Sequence, residues 1–323
     1  MNDAAWAEQR KHGISASEVP AVLGISPYLT PIDIYRRKVL GPGPAQTKPE
    51  APWLKWGRLL EPVIANAYAE ETRRRLRKVP KPISHPQYKI IMGTPDRLVM
   101  GESGGVECKS AGSYAAKDQF GEPGTDEIPD HYLVQVMIYL AITGREWWDL
   151  PVLVGGHDFR IYTVRRNRQL ENEIIDRVRA WWEAHIVKRV EPDMDWADES
   201  TSVYLAAKYP NNDGEIIVAD PTAEVYGQAL AISRSELKKT EQDKAALENH
   251  LKNLIGTADG MSGAFGKISW RKTKESEATD WKAIAQALLA SMPKRKVLAL
   301  TKSHTQPKPG ARRFLFTPAG GLS

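Results

Sequence analysis

The spacing of apolar residues predicts most of the regular elements in the first 200 residues. From Trp53 to about Arg75, apolar residues recur at the three- and four-residue spacing of an amphipathic helix. Pro62 lies within this pattern and predicts either a bend or a fresh helix start. Capping residues or prolines precede similar patterns elsewhere, and they predict helices over 17–23, 31–39, 129–143 and 168–190.

Short runs of β-forming residues lie between these helices. YKIIMG (88–93), RLVM (97–100) and GVECKS (105–110) are separated by turn sequences and predict a three-stranded meander. WWDLPVLVGGHDFRIYTVRRN predicts a hairpin with GGHD at its tip. The order helix, meander, helix, hairpin, helix indicates an α/β core with a central mixed sheet flanked by helices.

The sequence changes character after residues 192–201, which have the composition of a linker. We therefore predict a core domain over 1–200 and an additional α+β C-terminal region over 201–323. This region contains a long polar helix over 222–255, for which a coiled arm and a packed hairpin helix both remain open. GKISWRKTK and RRFLF predict two strands joined by a helical segment, DWKAIAQALLA. DNA binding or oligomerisation is the expected role of the region.

Composition restricts the class of protein. The 323 residues are 41% hydrophobic and 26% charged, which is ordinary for a folded domain. A single cysteine, Cys108, excludes a disulfide framework and any zinc or iron–sulfur site built from cysteines. No apolar run is long enough to cross a bilayer and no signal-peptide core is present, so we expect a cytoplasmic protein.

Positive charge is clustered along the chain. The net charge is +5, and basic residues concentrate in TRRRLRK, VRRNR, WRKTK and PKRK. Each run alone is typical of a solvated helix face or loop. Together, the four runs indicate a nucleic-acid partner.

The segment GVECKS carries the candidate chemistry. In a strand, Glu107 and Lys109 share one face while Val106 and Cys108 share the other. Asp96 follows Thr94 and Pro95 in the turn between two preceding strands, where the predicted meander brings its carboxylate beside that of Glu107. Two carboxylates suit Mg²⁺ or Mn²⁺, and an adjacent lysine suits phosphodiester hydrolysis. The alternative is an ordinary ion pair on a solvated sheet face.

These motifs resemble a known nuclease family. TPDRLV followed by GVECKS resembles the PD-(D/E)xK motif, and the surrounding sequence resembles the YqaJ/lambda-exonuclease branch of phage recombination exonucleases. RKHGISASEVPAVLGISPY resembles the N-terminal signature of this branch, WGRLLEPVIANAY its first acidic motif, and VQVMIYLAITG its Q-x-x-x-Y motif. The resemblance covers residues 6–200 and implies a restriction-endonuclease-like core.

The resemblance implies a role for each matching residue. The metal ligands would be Asp96, Glu107, the main-chain carbonyl of Cys108 and Glu61, holding one or two Mg²⁺ ions that Mn²⁺ could replace. The catalytic set would be Glu61, Asp96, Glu107, Lys109, Gln135 and Tyr139. The residues that recognise a terminal 5′-phosphate would be Arg10, Ser17 and Gln135. Taken singly, Arg10 could be a surface arginine and Ser17 a helix cap, and Gln135 and Tyr139 could satisfy each other.

The expected function is metal-dependent 5′-to-3′ digestion of double-stranded DNA ends, releasing 5′-mononucleotides and leaving 3′ single strands. By resemblance, the partners would be a single-strand annealing protein and further copies of this chain, in a bacterial cell that carries the phage or prophage. Two alternatives remain open: an endonuclease with the same acidic residues, and a non-catalytic DNA-binding protein that keeps the fold.

Overall fold

The structure is a computed structural model that describes residues 12–41, 52–113, 119–275, 278–305 and 313–316. The chain divides into one unit ending at Pro210 and a second unit beginning at Asn211. The helix Glu199–Lys208 belongs to the first unit because its Tyr204 is buried against Ile32 and Tyr35. Among the described residues, no helix combines the length and the apolar character needed to cross a membrane.

The helices of the first unit follow the predicted order apart from the last, Glu199–Lys208, which begins inside the predicted linker and was not predicted. They are α1 (Val19–Val22), α2 (Pro31–Val39), α3 (Pro52–Thr72), α4 (Asp130–Thr143), α5 (Arg168–Trp181) and α6 (Glu199–Lys208). Helix α3 continues through Pro62 as one element, so no fresh helix starts there. Helix α5 passes into a π-helical turn, Trp182–Val187.

Nine strands complete the first unit. They are β1 (Ile14–Ser15), β2 (Leu76–Lys78), β3 (Ile83–Ser84), β4 (Ile91–Gly93), β5 (Arg97–Val99), β6 (Gly104–Val106), β7 (Lys109–Ala111), β8 (Trp147–Val154) and β9 (Asp158–Arg165). The main sheet has six strands in the order β2-β5-β6-β8-β7, with β9 on the other side of β8. Strands β6 and β7 run parallel to β8 and the remaining neighbours are antiparallel.

Helices cover both faces of this sheet. On one face, α4 and α5 pack their apolar residues against Trp148, Leu150 and Val152 of β8. On the other face, Tyr68 of α3 packs against Val106. This arrangement confirms the predicted α/β fold class, a central mixed sheet flanked by helices.

The predicted three-stranded meander is wrong in its pairing. Strand β4 belongs to a separate three-stranded sheet, where it lies between β1 and β3. Strand β5 pairs instead with β2 and β6. The segments β1, β2 and β3 contain only two or three residues each, which is too short for their side-chain alternation to identify them.

The second unit is built around α7 (Pro221–Ile255), the predicted long helix, which is capped by the side chain of Asp220. A hairpin of β10 (Gly260–Gly263) and β11 (Gly266–Ser269) follows, then α8 (Trp281–Ala290) and α9 (Lys294–His304). The predicted strand in GKISWRKTK is present as β11, which pairs with β10, whereas the described part of RRFLF, residues 313–316, forms no strand.

Candidate active site

The strand that carries Glu107 is interrupted without losing its register. Gly104 pairs with Trp147 before the interruption and Lys109 pairs with Val152 after it, so both halves keep the same offset along β8. This register places Pro151 opposite Cys108. Proline has no N–H to donate to the ladder, so it accounts for the opening between β6 and β7. The Glu107 N–H still donates to the Asp149 carbonyl at 3.0 Å, whereas the Cys108 N–H donates to Asp96 Oδ2 instead of to β8.

The Glu107 carboxylate is buried on the α4 face of the sheet. Its side chain shares that face with Lys109, as the alternation predicts, while Cys108 packs with the apolar cluster on the α3 face. Oxygen Oε1 accepts hydrogen bonds from Lys109 Nζ at 2.9 Å and from Gln135 Nε2 at 2.8 Å. Oxygen Oε2 is buried and has no hydrogen-bond partner among the described residues. A buried carboxylate oxygen without a donor is costly, and a cation would satisfy it.

Asp96 lies beside Glu107 at the end of strand β5. Its Oδ2 accepts a hydrogen bond from the Cys108 N–H at 2.8 Å. Burial, and then the negative charge of Glu107, raise the pKa of Asp96 well above its usual range. The carboxylates of Asp96 and Glu107 offer oxygen ligands of the kind that suits a hard divalent cation.

Lys109 is held by three contacts. Its Nζ donates to Glu107 Oε1 and to Gln135 Oε1, the latter at 3.1 Å, and lies 4.7 Å from the centre of the Tyr132 ring. Burial alone would lower the pKa of Lys109, but the charge of Glu107 and the neighbouring groups outweigh it, so the pKa is raised. The ammonium group therefore stays charged, which suits orientation and charge stabilisation better than proton abstraction.

Gln135 and Tyr139 form one wall of the site. They lie one turn apart on α4, and Gln135 Nε2 donates to the Tyr139 hydroxyl at 2.9 Å. The Tyr139 ring stacks on Trp148 with 5.2 Å between centroids. A Cβ added at Gly93 would lie 2.8 Å from the Tyr139 ring and 3.1 Å from Ala16. Close packing at Gly93 thus fixes Tyr139 against the segment that carries Ser17.

Glu61 makes a different contact from the one expected. Its Oε1 pairs with Arg97 NH1 at 2.6 Å, and the same nitrogen donates to the Asp96 carbonyl at 2.7 Å. Within the described ranges, no three side chains of His, Cys, Asp or Glu come close enough together to hold a metal ion. Arg97, which our sequence interpretation missed, neutralises Glu61 and links it to the Asp96 backbone. Arg97 directly follows Asp96 in the sequence TPDR, and this position could have indicated a charged neighbour of the site.

Ser17 and Arg10 were the predicted 5′-phosphate contacts. Ser17 is exposed, its hydroxyl lies 3.2 Å from that of Ser15, and it does not cap α1, whose N-cap is Glu18 without a side-chain bond. The segment is anchored by the Ala16 N–H, which donates to Met92 O at 2.7 Å. Arg10 lies outside the described residues. Gln135, the third predicted contact, is hydrogen-bonded to Glu107 and to Lys109.

A buried ion pair that the sequence did not reveal supports the Ser17 segment. Glu18 Oε2 accepts from the Ser15 N–H at 2.9 Å and pairs with Lys38 Nζ at 2.9 Å. Lys38 comes from α2, which was predicted as a helix without any assigned partner for this lysine. The pair joins α2 to the segment that leads into α1.

A second buried carboxylate lies on the opposite face of the sheet. Asp149 Oδ2 accepts from the Tyr68 hydroxyl at 2.6 Å and from Arg74 NH1 at 2.8 Å, and Oδ1 accepts from Thr163 at 2.7 Å. Arg74 belongs to the basic run TRRRLRK. Arg74 therefore binds a buried carboxylate. It should not be counted with the basic residues that the run suggested for a nucleic-acid surface.

The comparisons with known proteins bear on this site. The family described as YqaJ-like viral recombinase domain matches residues 5–146. Over this span the chain is similar to that domain. The span contains every residue that the motif resemblance singled out, from Arg10 to Tyr139.

Relatives of the recombinase domain extend the similarity along the chain. A protein of Bacillus subtilis strain 168, described as uncharacterized protein YqaJ, is 26% identical over 276 residues, covering 84% of each chain. The crystal structure of an alkaline exonuclease, LHK-Exo, from Laribacter hongkongensis has a TM-score of 0.46 at 22% identity, covering 58% of this chain and 96% of that one. A phage-related exonuclease from Haemophilus somnus 129PT has a TM-score of 0.42 at 15% identity, covering 55% and 96%.

Proposed function

We propose that this protein is a divalent-metal-dependent nuclease that digests double-stranded DNA from its 5′ ends in a phage or prophage recombination system. The observation that carries the proposal is the buried, unpartnered Oε2 of Glu107 beside Asp96 and the charged Lys109. The match of residues 5–146 to a viral recombinase domain supports the same conclusion.

The oxygen ligands favour Mg²⁺, with Mn²⁺ as a substitute. Asp96, Glu107 and the Cys108 carbonyl would hold the ion, and Glu61 would complete the set or hold a second ion only after releasing Arg97. When bound, a divalent cation polarises a phosphoryl oxygen and makes a nearby water more acidic.

The remaining residues have distinct tasks. Lys109 Nζ supplies a fixed positive charge for the negative charge that develops on the scissile phosphate. Gln135 bonds both Glu107 and Lys109, so its amide fixes their relative position. Tyr139 holds Gln135 in turn, and burial together with the nearby carboxylates raises its pKa well above the usual value. Tyr139 therefore stays neutral and acts as a hydrogen-bonding partner.

The polarity of digestion rests on the 5′-phosphate contacts implied by the family resemblance. An exposed Ser17 hydroxyl on a segment anchored to β4 is available to a DNA end, and Arg10 would supply the cation. Digestion would then release 5′-mononucleotides and leave a 3′ single strand. An annealing protein would bind that strand, and several copies of this chain would assemble on the duplex.

The test is digestion of linear duplex DNA that carries a label at one 3′ end, with and without a 5′-phosphate, alongside a closed circular duplex. We expect Mg²⁺-dependent loss of linear DNA that is faster with the 5′-phosphate, and no loss of circular DNA. Asp96→Ala abolishes digestion, while Asp176→Asn, a change at an exposed carboxylate on α5, leaves it unchanged. Degradation of circular DNA would identify an endonuclease, and wild-type protein inert with Mg²⁺ and Mn²⁺ would refute the proposal.

A further inference from the structure

The hairpin of the second unit differs in charge from the helix that precedes it. Helix α7 carries acidic and basic residues in equal numbers. The segment from Gly260 to Lys274 carries Lys267, Arg271, Lys272 and Lys274 and no acidic residue. The positive charge of this unit therefore begins at the hairpin.

The cations of this segment are only partly neutralised. Arg271 lies 3.3 Å from Asp259, and Lys272 lies 3.2 Å from Glu275, with all four side chains well exposed. Exposed pairs of this kind are weak and exchange readily for other anions. Within the part of the chain that the structure describes, Lys267 and Lys274 form no ion pair. Lys267 and Lys274 thus present positive charge that no acidic residue among the described ones neutralises.

The two faces of the hairpin have different chemistry. The register pairs Met261 with Ile268 and Ser262 with Lys267, and directly opposite residues point to the same face. Met261 and Ile268 are half-buried, whereas Ser262 and Lys267 are exposed. One face of the hairpin is therefore partly covered, and the other exposes a hydroxyl and an ammonium group to solvent.

Aromatic side chains accompany the cations. Phe265 stands at the hairpin tip with 65% of its surface exposed, and Trp270 follows β11 with 48% exposed. Interleaved cations and exposed aromatic rings suit a nucleic acid, which offers phosphates to the first and sugar or base faces to the second. A two-stranded ribbon also fits the major groove of B-DNA, which is about 12 Å wide.

We propose that the hairpin Gly260–Ser269, together with the basic residues up to Lys274, is a second DNA-binding element that holds duplex DNA through its backbone without reading its sequence. This inference deepens the proposed function, since it takes double-stranded DNA as the ligand. Its task is to keep the protein on the duplex between successive cleavages.

The test compares two triple variants of the full chain. The hairpin variant is Lys267→Gln/Arg271→Gln/Lys274→Gln, and the helix control is Lys238→Gln/Lys239→Gln/Lys244→Gln, which removes the same charge from α7. Affinity for a 5′-phosphorylated 40-base-pair duplex is measured in EDTA over a series of salt concentrations. Each lost phosphate contact lowers the slope of log K against log salt by about 0.9, so the hairpin variant loses roughly two to three slope units and binds at least about tenfold more weakly. The control keeps the wild-type slope.

Chemical protection tests the same contact without substitutions. In wild-type protein, bound duplex should shield Lys267 and Lys274 from acetylation far more than Lys238 and Lys239, as read by mass spectrometry. Equal slopes for both variants, or equal protection of the two lysine pairs, would overturn the inference and point to a protein partner. Because EDTA prevents cleavage, these results are independent of hydrolysis. If the hairpin binds DNA but the protein does not digest it, only the proposed nuclease function is refuted. If the protein digests DNA but the hairpin variant binds like wild type, only this inference is refuted.

Discussion

Two buried carboxylates on opposite faces of the main sheet show how alike residues acquire different tasks. The Asp149 carboxylate receives hydrogen bonds at both oxygens, from Tyr68, Arg74 and Thr163. The Glu107 carboxylate receives bonds at Oε1, and its buried Oε2 has no donor among the residues that the structure describes. The two residues are close in the fold, since the Glu107 N–H donates to the Asp149 carbonyl at 3.0 Å.

The two carboxylates differ in whether both oxygens are hydrogen-bonded, and this difference indicates which of them supports the fold and which takes part in the reaction. A buried charge that is fully hydrogen-bonded supports the fold, because its desolvation is offset by its partners. A buried charge with an open oxygen, beside a second carboxylate whose pKa is raised, keeps a position for a cation. The Asp149 cluster is therefore expected to determine stability, and the Glu107 cluster to determine activity.

The largest expected effect is on hydrolysis. Glu107→Gln keeps an acceptor oxygen for Lys109 and Gln135 but removes the charge that would bind the cation. We expect DNA digestion to fall by about 10³-fold or more, with a melting temperature unchanged or raised. Initial rates on linear duplex and a thermal melt measure both quantities. Glu173→Gln on the exposed side of α5 is the control, and substantial digestion by Glu107→Gln would remove Glu107 from the metal site.

The next effect concerns stability. Asp149→Ala leaves the Tyr68 hydroxyl and the Arg74 guanidinium without their acceptor, and breaking such a buried pair costs about 3–5 kcal/mol. Urea unfolding measures the loss. Digestion per folded molecule should stay close to wild type, since Asp149 faces away from Asp96. Similar stabilities for Asp149→Ala and wild type would contradict the structural role assigned to this cluster.

Sequence patterns were sufficient for the helices and for the Glu107–Lys109 face. The apolar spacing of 53–75 and 129–143 extends over several turns, so it identifies α3 and α4 without tertiary information. The alternation in GVECKS correctly placed Glu107 and Lys109 on one face, and Cys108 on the other. Burial, followed by the nearby carboxylates, raises the pKa of the Cys108 thiol, consistent with an inert packing role.

Long-range pairings were beyond the reach of such patterns. Strand β4 is not part of the predicted meander because β1, which lies far from it in sequence, pairs with it in parallel. The contact of Glu61 with Arg97 and the Asp149 cluster likewise join residues from separate elements, and no local spacing records them. Arg74 shows the same limit, since a run of basic residues does not tell which of them faces inward.

A smaller effect is expected where the Glu107 cluster touches Tyr132. The aromatic ring lies under Lys109 Nζ and restrains it. Tyr132→Leu removes the ring face and should lower kcat by about fivefold, in line with the loss of a cation–π contact of about 1 kcal/mol, while KM stays unchanged. Tyr132→Phe keeps the face and should retain nearly full kcat. A rise in KM with constant kcat in Tyr132→Leu would instead indicate a DNA contact.

The last effect is a pH dependence of stability in protein freed of metal by EDTA. The pKa of Asp96 is raised in the folded state by burial and by Glu107, so the folded protein retains a proton that the unfolded chain loses. The free energy of unfolding should therefore fall as pH rises from the ordinary aspartate range toward the raised pKa, by up to about 1.4 kcal/mol for each pH unit. Asp96→Asn removes this part of the slope, and urea unfolding at pH 5 and pH 8 measures the difference between the two proteins. Saturating Mg²⁺ should restore the stability of wild type at pH 8 and leave that of Asp96→Asn unchanged, because only an ionised carboxylate binds the cation. Equal slopes in the two proteins would mean that Asp96 is ionised throughout and that repulsion from Glu107 is relieved in some other way.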